Sequence, residues 1–143
     1  MKETLDENDS RYAEGIRHFN AREFYDAHEV WEDLWHQLHE KDAEFIQGLI
    51  QFATALHHFE ARNLKGARIL YQSGVELLSP LGEFYWRMRV RKLLADMHVC
   101  IKDVLPYAQK DLPGRYHPDK ESFPIRVDRK LVPKISLIEE QVP

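Results

Sequence analysis

Proline is absent from residues 1–79, and all seven prolines of this 143-residue chain fall at Pro80 or later. Proline removes a backbone donor and clashes with the preceding helical turn. Its distribution therefore separates a first part that can be helical without interruption from a last part that cannot. Within the first part, apolar residues recur at three- and four-residue spacing, the period of a helix with one buried face. Tyr12, Ile16 and Phe19 predict a helix from Asn8 to Phe19, closed by Asn20. Phe24, Ala27, Trp31, Leu34 and Leu38 predict a second from Glu23 to Leu38. A third, from Asp42 to Arg62, is apolar nearly all round, the mark of a helix buried on several sides. A fourth runs from Leu64 to Leu78 and stops at Ser79-Pro80. A fifth, from Phe84 to Leu105, carries a seam of Val90, Leu94, Met97, Ile101 and Val104. Beyond Pro106 the period fades. Pro113-Gly114 marks a turn, and Phe123–Val127 and Leu131–Ile135 alternate weakly, as extended chain does. The expected organisation is an all-helical domain over 1–110 and an extended tail over 111–143 that lies across it.

The first part contains a repeat. His18-Phe19-Asn20-Ala21-Arg22-Glu23-Phe24-Tyr25-Asp26-Ala27 matches His58-Phe59-Glu60-Ala61-Arg62-Asn63-Leu64-Lys65-Gly66-Ala67 at an offset of forty residues. The match continues with an aromatic at Trp31 and Tyr71 and a leucine at Leu38 and Leu78. Each unit reads as helix, tight turn, helix. Ala27 and Ala67 let the two helices of a unit approach closely, and the aromatic one turn further on fills the space beside them. This is the logic of tetratricopeptide-like helical hairpins. Two units are fewer than a free-standing solenoid needs, so the fifth helix and the tail are expected to cap them. The fold class expected is all-α: a five-helix bundle of two such hairpins, a capping helix and an extended C-terminal tail.

Composition narrows the function classes. Apolar residues at 43% can fill one core, and charged residues at 31% can keep the surface wet. A net charge of −4 offers no long-range attraction to phosphate, so no nucleic-acid partner is expected. The single cysteine, Cys100, excludes an internal disulfide and reads as a small core residue beside Met97 and Ile101. Residues 1–10 are polar and acidic, unlike a signal peptide. The longest apolar-rich stretch, Phe45–Phe59, is interrupted by Gln47, Gln51, His57 and His58 and is too short for a membrane span. A cytoplasmic location is the resulting expectation. The chain shows no glycine-rich phosphate loop, cysteine pair or nucleophile motif.

Two polar strips interrupt the apolar pattern. On the second helix His28 and Glu32 are four apart and share a face, with Glu29 and His36 on the adjoining strip. His28-Glu29-x-x-Glu32 is related to the zinc-protease pattern His-Glu-x-x-His, with Glu32 in place of the second histidine. A histidine and a carboxylate at this spacing can share a metal if a third ligand comes from elsewhere. On the third helix Gln47, Gln51, Thr54 and His58 form one polar line. Each such group costs ~1–3 kcal/mol if buried without a partner. The line is therefore expected to meet His28, Glu29 and Glu32 in a small polar pocket walled by Trp31 and Trp35. Three readings follow. An internal hydrogen-bond network that fixes hairpin packing is the commonest fate of such groups. A ligand pocket is the second, and a divalent-metal site with His28 and Glu32 as ligands is the third. His57 with Glu60, and His39, read as surface residues. The basic run Arg87, Arg89, Arg91 and Lys92 reads as the solvated face of the fifth helix rather than a patch for an acidic partner or for RNA.

These motifs carry a family resemblance. His28-Glu29-x-Trp31-Glu32-x-x-Trp35, then Gly48-Leu49-Ile50-Gln51-x-Ala53-x-Ala55-Leu56-His57-His58, then Gly66-Ala67-x-x-Leu70, together resemble the domain-of-unknown-function family numbered 309, small all-helical proteins of bacteria and archaea. The resemblance covers about Tyr12 to Leu78. It implies a helical fold and no particular activity, and it makes His28, Glu29, Glu32, Gln51 and His58 the positions to test first. The leading expectation is a non-enzymatic module that binds a protein, a peptide segment or a small ligand in a groove beside the second helix, since stacked hairpins make concave surfaces. The alternatives are a metal-dependent, hydrolase-like enzyme using His28, Glu29 and Glu32, and a structural homo-oligomer subunit.

Overall fold

Asp9 starts the first helix, α1 (Ser10–Asn20), by accepting a hydrogen bond from the Arg11 amide at 2.9 Å. The Arg11 guanidinium closes on the same carboxylate and holds it below the usual carboxylate range. The apolar period then does what it predicts. α1 buries Tyr12, Ile16 and Phe19; α2 (Phe24–Trp35) buries Phe24, Ala27, Trp31 and Leu34. α3 (Glu40–Glu60) is buried on several sides and forms the centre of the bundle, packed against α2 on one flank and α4 (Leu64–Leu78) on the other. A 3-10 turn at Ser79–Leu81 ends α4 at Pro80. α5 (Val90–Ile101) completes the all-α bundle, burying Val90, Leu93, Met97, Cys100 and Ile101. This computed structural model describes residues 5–102, 105 and 129–138. Among these no helix is long and apolar enough to cross a membrane.

The repeat is visible in the backbone. α1 ends with Arg22 in the left-handed region at φ 62°, and α3 ends with Arg62 at φ 63°. Glu23 N–H returns to His18 C=O at 2.8 Å, and Asn63 N–H returns to His58 C=O at 2.8 Å. Arg22 and Arg62 amides return to Phe19 and Phe59 carbonyls at 3.0 and 3.1 Å. These are two Schellman turns, built on arginine where glycine is the usual choice. The Arg22 side chain offsets the conformational cost by reaching across to the Glu60 carboxylate, Nε to Oε1 at 3.0 Å. The two turns are thereby tied together at one end of the bundle.

Close helix approach rests on glycine facing an aromatic. A Cβ at Gly15 would lie 1.9 Å from Trp31 Nε1, so the indole occupies that volume and donates to Tyr12 C=O at 3.3 Å. On the other hairpin a Cβ at Gly74 would lie 2.4 Å from the Phe52 ring. At the forty-residue offset Gly15 becomes Ala55 and Trp31 becomes Tyr71, a methyl gained on one side and a smaller ring on the other.

The segment after α4 corrects the expected start of the fifth helix. Phe84–Arg89 is a hairpin, β1 (Phe84–Tyr85) paired antiparallel with β2 (Met88–Arg89), and α5 begins only at Val90. Trp86 (φ 45°) and Arg87 (φ 60°) are both left-handed, the pattern of a two-residue type I′ turn. Neither is a residue that favours that turn; tertiary contacts hold it. Tyr12 Oη donates to Trp86 C=O at 2.9 Å, the two rings meet edge-on at 5.2 Å, and Tyr85 Oη donates to Asp42. Burial and that acidic partner push the Tyr85 phenol up, and burial does the same to Tyr12. The basic run is corrected with it. Arg87 is not on α5: its guanidinium donates to Ile138 C=O at 3.2 and 3.1 Å. Arg89 ends β2, with its guanidinium near the Phe84 ring. Arg91 and Lys92 do lie exposed on α5.

Residues 129–138 link the end of α1 to the hairpin. After a 3-10 turn at Arg129–Leu131 the chain is extended, with Val132 and Ile135 buried and Leu137 bridged to Met88. The Asn20 side chain reads the Ile135 backbone in both directions, at 3.0 and 2.7 Å. The expected extended run Phe123–Val127, the end of helix five at Leu105 and the 110/111 boundary fall in or beside stretches outside the described residues.

Gly15→Ala should destabilise the protein by ~1–3 kcal/mol, the usual cost of forcing a methyl into a filled site. Adding Trp31→Tyr should restore part of that loss by reproducing the Ala55–Tyr71 combination of the second hairpin. Urea unfolding of the two variants measures both effects.

Candidate functional site

Because Phe24, Ala27, Trp31 and Leu34 point inward, the rest of α2 is turned outward, and the candidate strip lies there. His28 Nε2 is 3.0 Å from Glu32 Oε2, and His28 Nδ1 is 3.9 Å from Glu29 Oε1. His36 Nε2 approaches the other oxygen of Glu32 at 3.8 Å. One carboxylate thus sits between two imidazoles, four residues to either side. Tyr25 donates its hydroxyl to Glu29, which holds the phenol above its usual range. The Tyr25 ring lies 6.0 Å from the His28 ring, and Trp35 lies 5.1 Å from His36. Tyr25 is 62% exposed, the largest exposure of any big apolar side chain among the described residues. Trp31 is fully buried against α1, whereas Trp35 is half-buried beside the strip.

The polar line of α3 is half-buried rather than buried. Thr54 donates back to Ile50 C=O at 2.9 Å within its own helix. Asn63 donates its side-chain amide to His58 Nδ1 at 3.2 Å. Gln47 and Gln51 make no side-chain hydrogen bond to any described residue, and no polar contact among the described residues joins this line to His28, Glu29 or Glu32. The structure therefore brings together His28, Glu29, Glu32 and His36 on one helix and leaves Gln47, Gln51 and His58 on another. His57 and His39 are exposed, and Glu60 is engaged by Arg22.

One grouping escaped the sequence reading. His18 Nδ1 is 3.1 Å from Glu23 Oε1, and His18, Glu23 and Asp26 can place one donor atom each within 4.8 Å of one another. The signal was present in the repeat: His18, Glu23 and Asp26 align with His58, Asn63 and Gly66, so both carboxylates are particular to the first turn.

Fold and site together define the class, an all-α five-helix bundle with an acidic, histidine-bearing outer helix. The family model described as Domain of unknown function (DUF309) matches residues 12–70, from within α1 to within α4, and bears out the resemblance carried by the motifs. No curated protein matches the chain.

His58 supplies a pH dependence. Burial, followed by the neighbouring His57, lowers its pKa below the ordinary imidazole range, in keeping with a ring nitrogen that accepts from Asn63. A histidine depressed in the folded state contributes stability above its unfolded pKa of about 6.5 and loses it as pH falls through the folded value. His58→Gln should flatten that part of the acid-side loss. Melting temperatures of both proteins on either side of the imidazole range check this.

Proposed function

We propose that this protein is a binding module that takes a peptide segment or small ligand on the outer strip of α2, with the two hairpins acting as tetratricopeptide-like units that present it. The observation that supports this reading is that the polar groups of the strip reach no other described helix. The polar partners of His28, Glu29, Glu32 and His36 among the described residues all lie within α2 itself. Groups that fix how helices pack reach across to another helix, as Arg22 does to Glu60; these do not. The chemistry of the strip points to a cationic partner. α2 carries Asp26, Glu29, Glu32 and Asp33 and no lysine or arginine, and Tyr25 and Trp35 add rings on which an ammonium or guanidinium can rest. Acidic side chains flanked by aromatic surface suit a lysine- or arginine-bearing segment.

A metal-dependent enzyme is favoured by one distance, the 3.0 Å between His28 Nε2 and Glu32 Oε2. That supplies two donors. The set of three donors that the described residues bring within 4.8 Å of one another is at His18, not here.

Exposed ion pairs four apart on a helix contribute a few tenths of a kcal/mol. Glu29→Gln with Glu32→Gln should accordingly change unfolding free energy by less than about 1 kcal/mol. The same pair should abolish amide shifts at Tyr25, His28 and Glu32 when lysine-rich peptides are titrated into labelled protein, and added salt should weaken those shifts. A stability loss of several kcal/mol, or equal shifts with acidic peptides, would sink the reading. Metal analysis and melting with chelator on His28→Gln beside the unsubstituted protein tests the enzyme alternative, because an ion held by the strip is lost in the variant.

A further inference from the structure

We propose that the first hairpin turn binds a divalent transition-metal ion of the zinc class through His18, Glu23 and Asp26. His18 lies in the last turn of α1, Glu23 is the residue before α2, and Asp26 is in the first turn of α2. The Schellman turn folds these positions back on one another, so a histidine nitrogen and two carboxylates converge. Imidazole and carboxylate are both donor types that zinc accepts, and three of them leave a fourth tetrahedral position to water. Their two negative charges balance the ion.

The protein contains its own comparison. The second turn has the same backbone and the same histidine, His58, but Asn63 and Gly66 replace the carboxylates. There Asn63 performs the structural work. Its amide nitrogen donates to His58, and its oxygen accepts from Gly66 N–H at 3.1 Å, capping α4. Glu23 makes no side-chain cap hydrogen bond to α2 and turns to His18. The turn therefore folds without acidic residues, and the carboxylates of the first copy are surplus to it. While His18 Nδ1 faces Glu23, Nε2 faces Glu14 at 3.8 Å, one helical turn earlier. His58 uses its Nδ1 on Asn63 instead.

The test uses the full chain, stripped with chelator and dialysed, with zinc chloride titrated by calorimetry. The His18 imidazole nitrogens are followed by NMR in parallel. The expected result is one zinc equivalent that shifts His18 Nδ1. His18→Gln and Asp26→Asn should each weaken binding by more than about tenfold, the lower range seen when even an outer partner of a metal ligand is removed. Glu14→Gln should weaken it less, and His58→Gln and His28→Gln should leave it unchanged. Asp26 is exposed, so Asp26→Asn leaves the core untouched and decides the matter if His18→Gln fails to fold, which melting without zinc reveals. No zinc uptake by the unsubstituted protein, or uptake undiminished in Asp26→Asn, would overturn the proposal. Loss in His28→Gln alone would also overturn it and move the ion to the α2 strip.

Discussion

The indole of Trp31 against Gly15 is the contact on which the rest of the structure depends. It sets how closely α1 and α2 approach, because the ring fills the space a Cβ would need. It also sets the rotation of α2 about its axis. With Trp31 buried, Phe24, Ala27 and Leu34 follow it inward at helical spacing. Tyr25, Glu29, Glu32 and His36 are then carried to the outer side whatever their chemistry. The candidate site is in this sense a consequence of core packing. The core decides which side of the helix is offered, and the residues there are at liberty to serve something other than folding.

The two hairpins show which features the helix-turn-helix unit demands and which it tolerates. The left-handed arginine, the paired return hydrogen bonds, the buried Phe19 and Phe59, and the buried Ala27 and Ala67 occur in both copies. The volume partners vary together: glycine with tryptophan in one, alanine with tyrosine in the other. The polar residues around the turn vary independently of the fold. Glu60 receives Arg22, whereas its counterpart Asn20 clamps the Ile135 backbone. One copy of the repeat thus holds the other, and the other holds the C-terminal segment.

Much of this was legible in the sequence, for reasons that are local. The first four helices follow from apolar spacing and from proline confined to Pro80 and later, and the His28–Glu32 pair follows from a four-residue spacing on one helix. What was not legible depends on contacts distant in sequence. Phe84 to Arg89 has the spacing of a helix start and none of the glycine or asparagine that announces a type I′ turn. It is bent by Tyr12, seventy-four residues earlier, which bonds Trp86. Gln47 and Gln51 on a strongly apolar helix suggested a buried line needing partners. α3 instead leaves one narrow side half-open, so water can satisfy them. His18, Glu23 and Asp26 lie on two helices and a turn, and only the turn's backbone brings them together.

The two ends of α2 differ in how their charges are arranged. At its start, Glu23 and Asp26 face a histidine held by another helix, so three donors from α1, the turn and α2 converge on one point. Convergence of donors from different elements is what confines an ion. Further along, Glu29 and Glu32 spread along a single exposed face with histidines beside them. A line of charge on one helix cannot surround an ion without a second element opposite, but it can lie alongside an extended or helical chain of opposite charge. The same count of carboxylates therefore suits a cation at the turn and a cationic segment along the strip, and the difference lies in whether another helix places a donor opposite them.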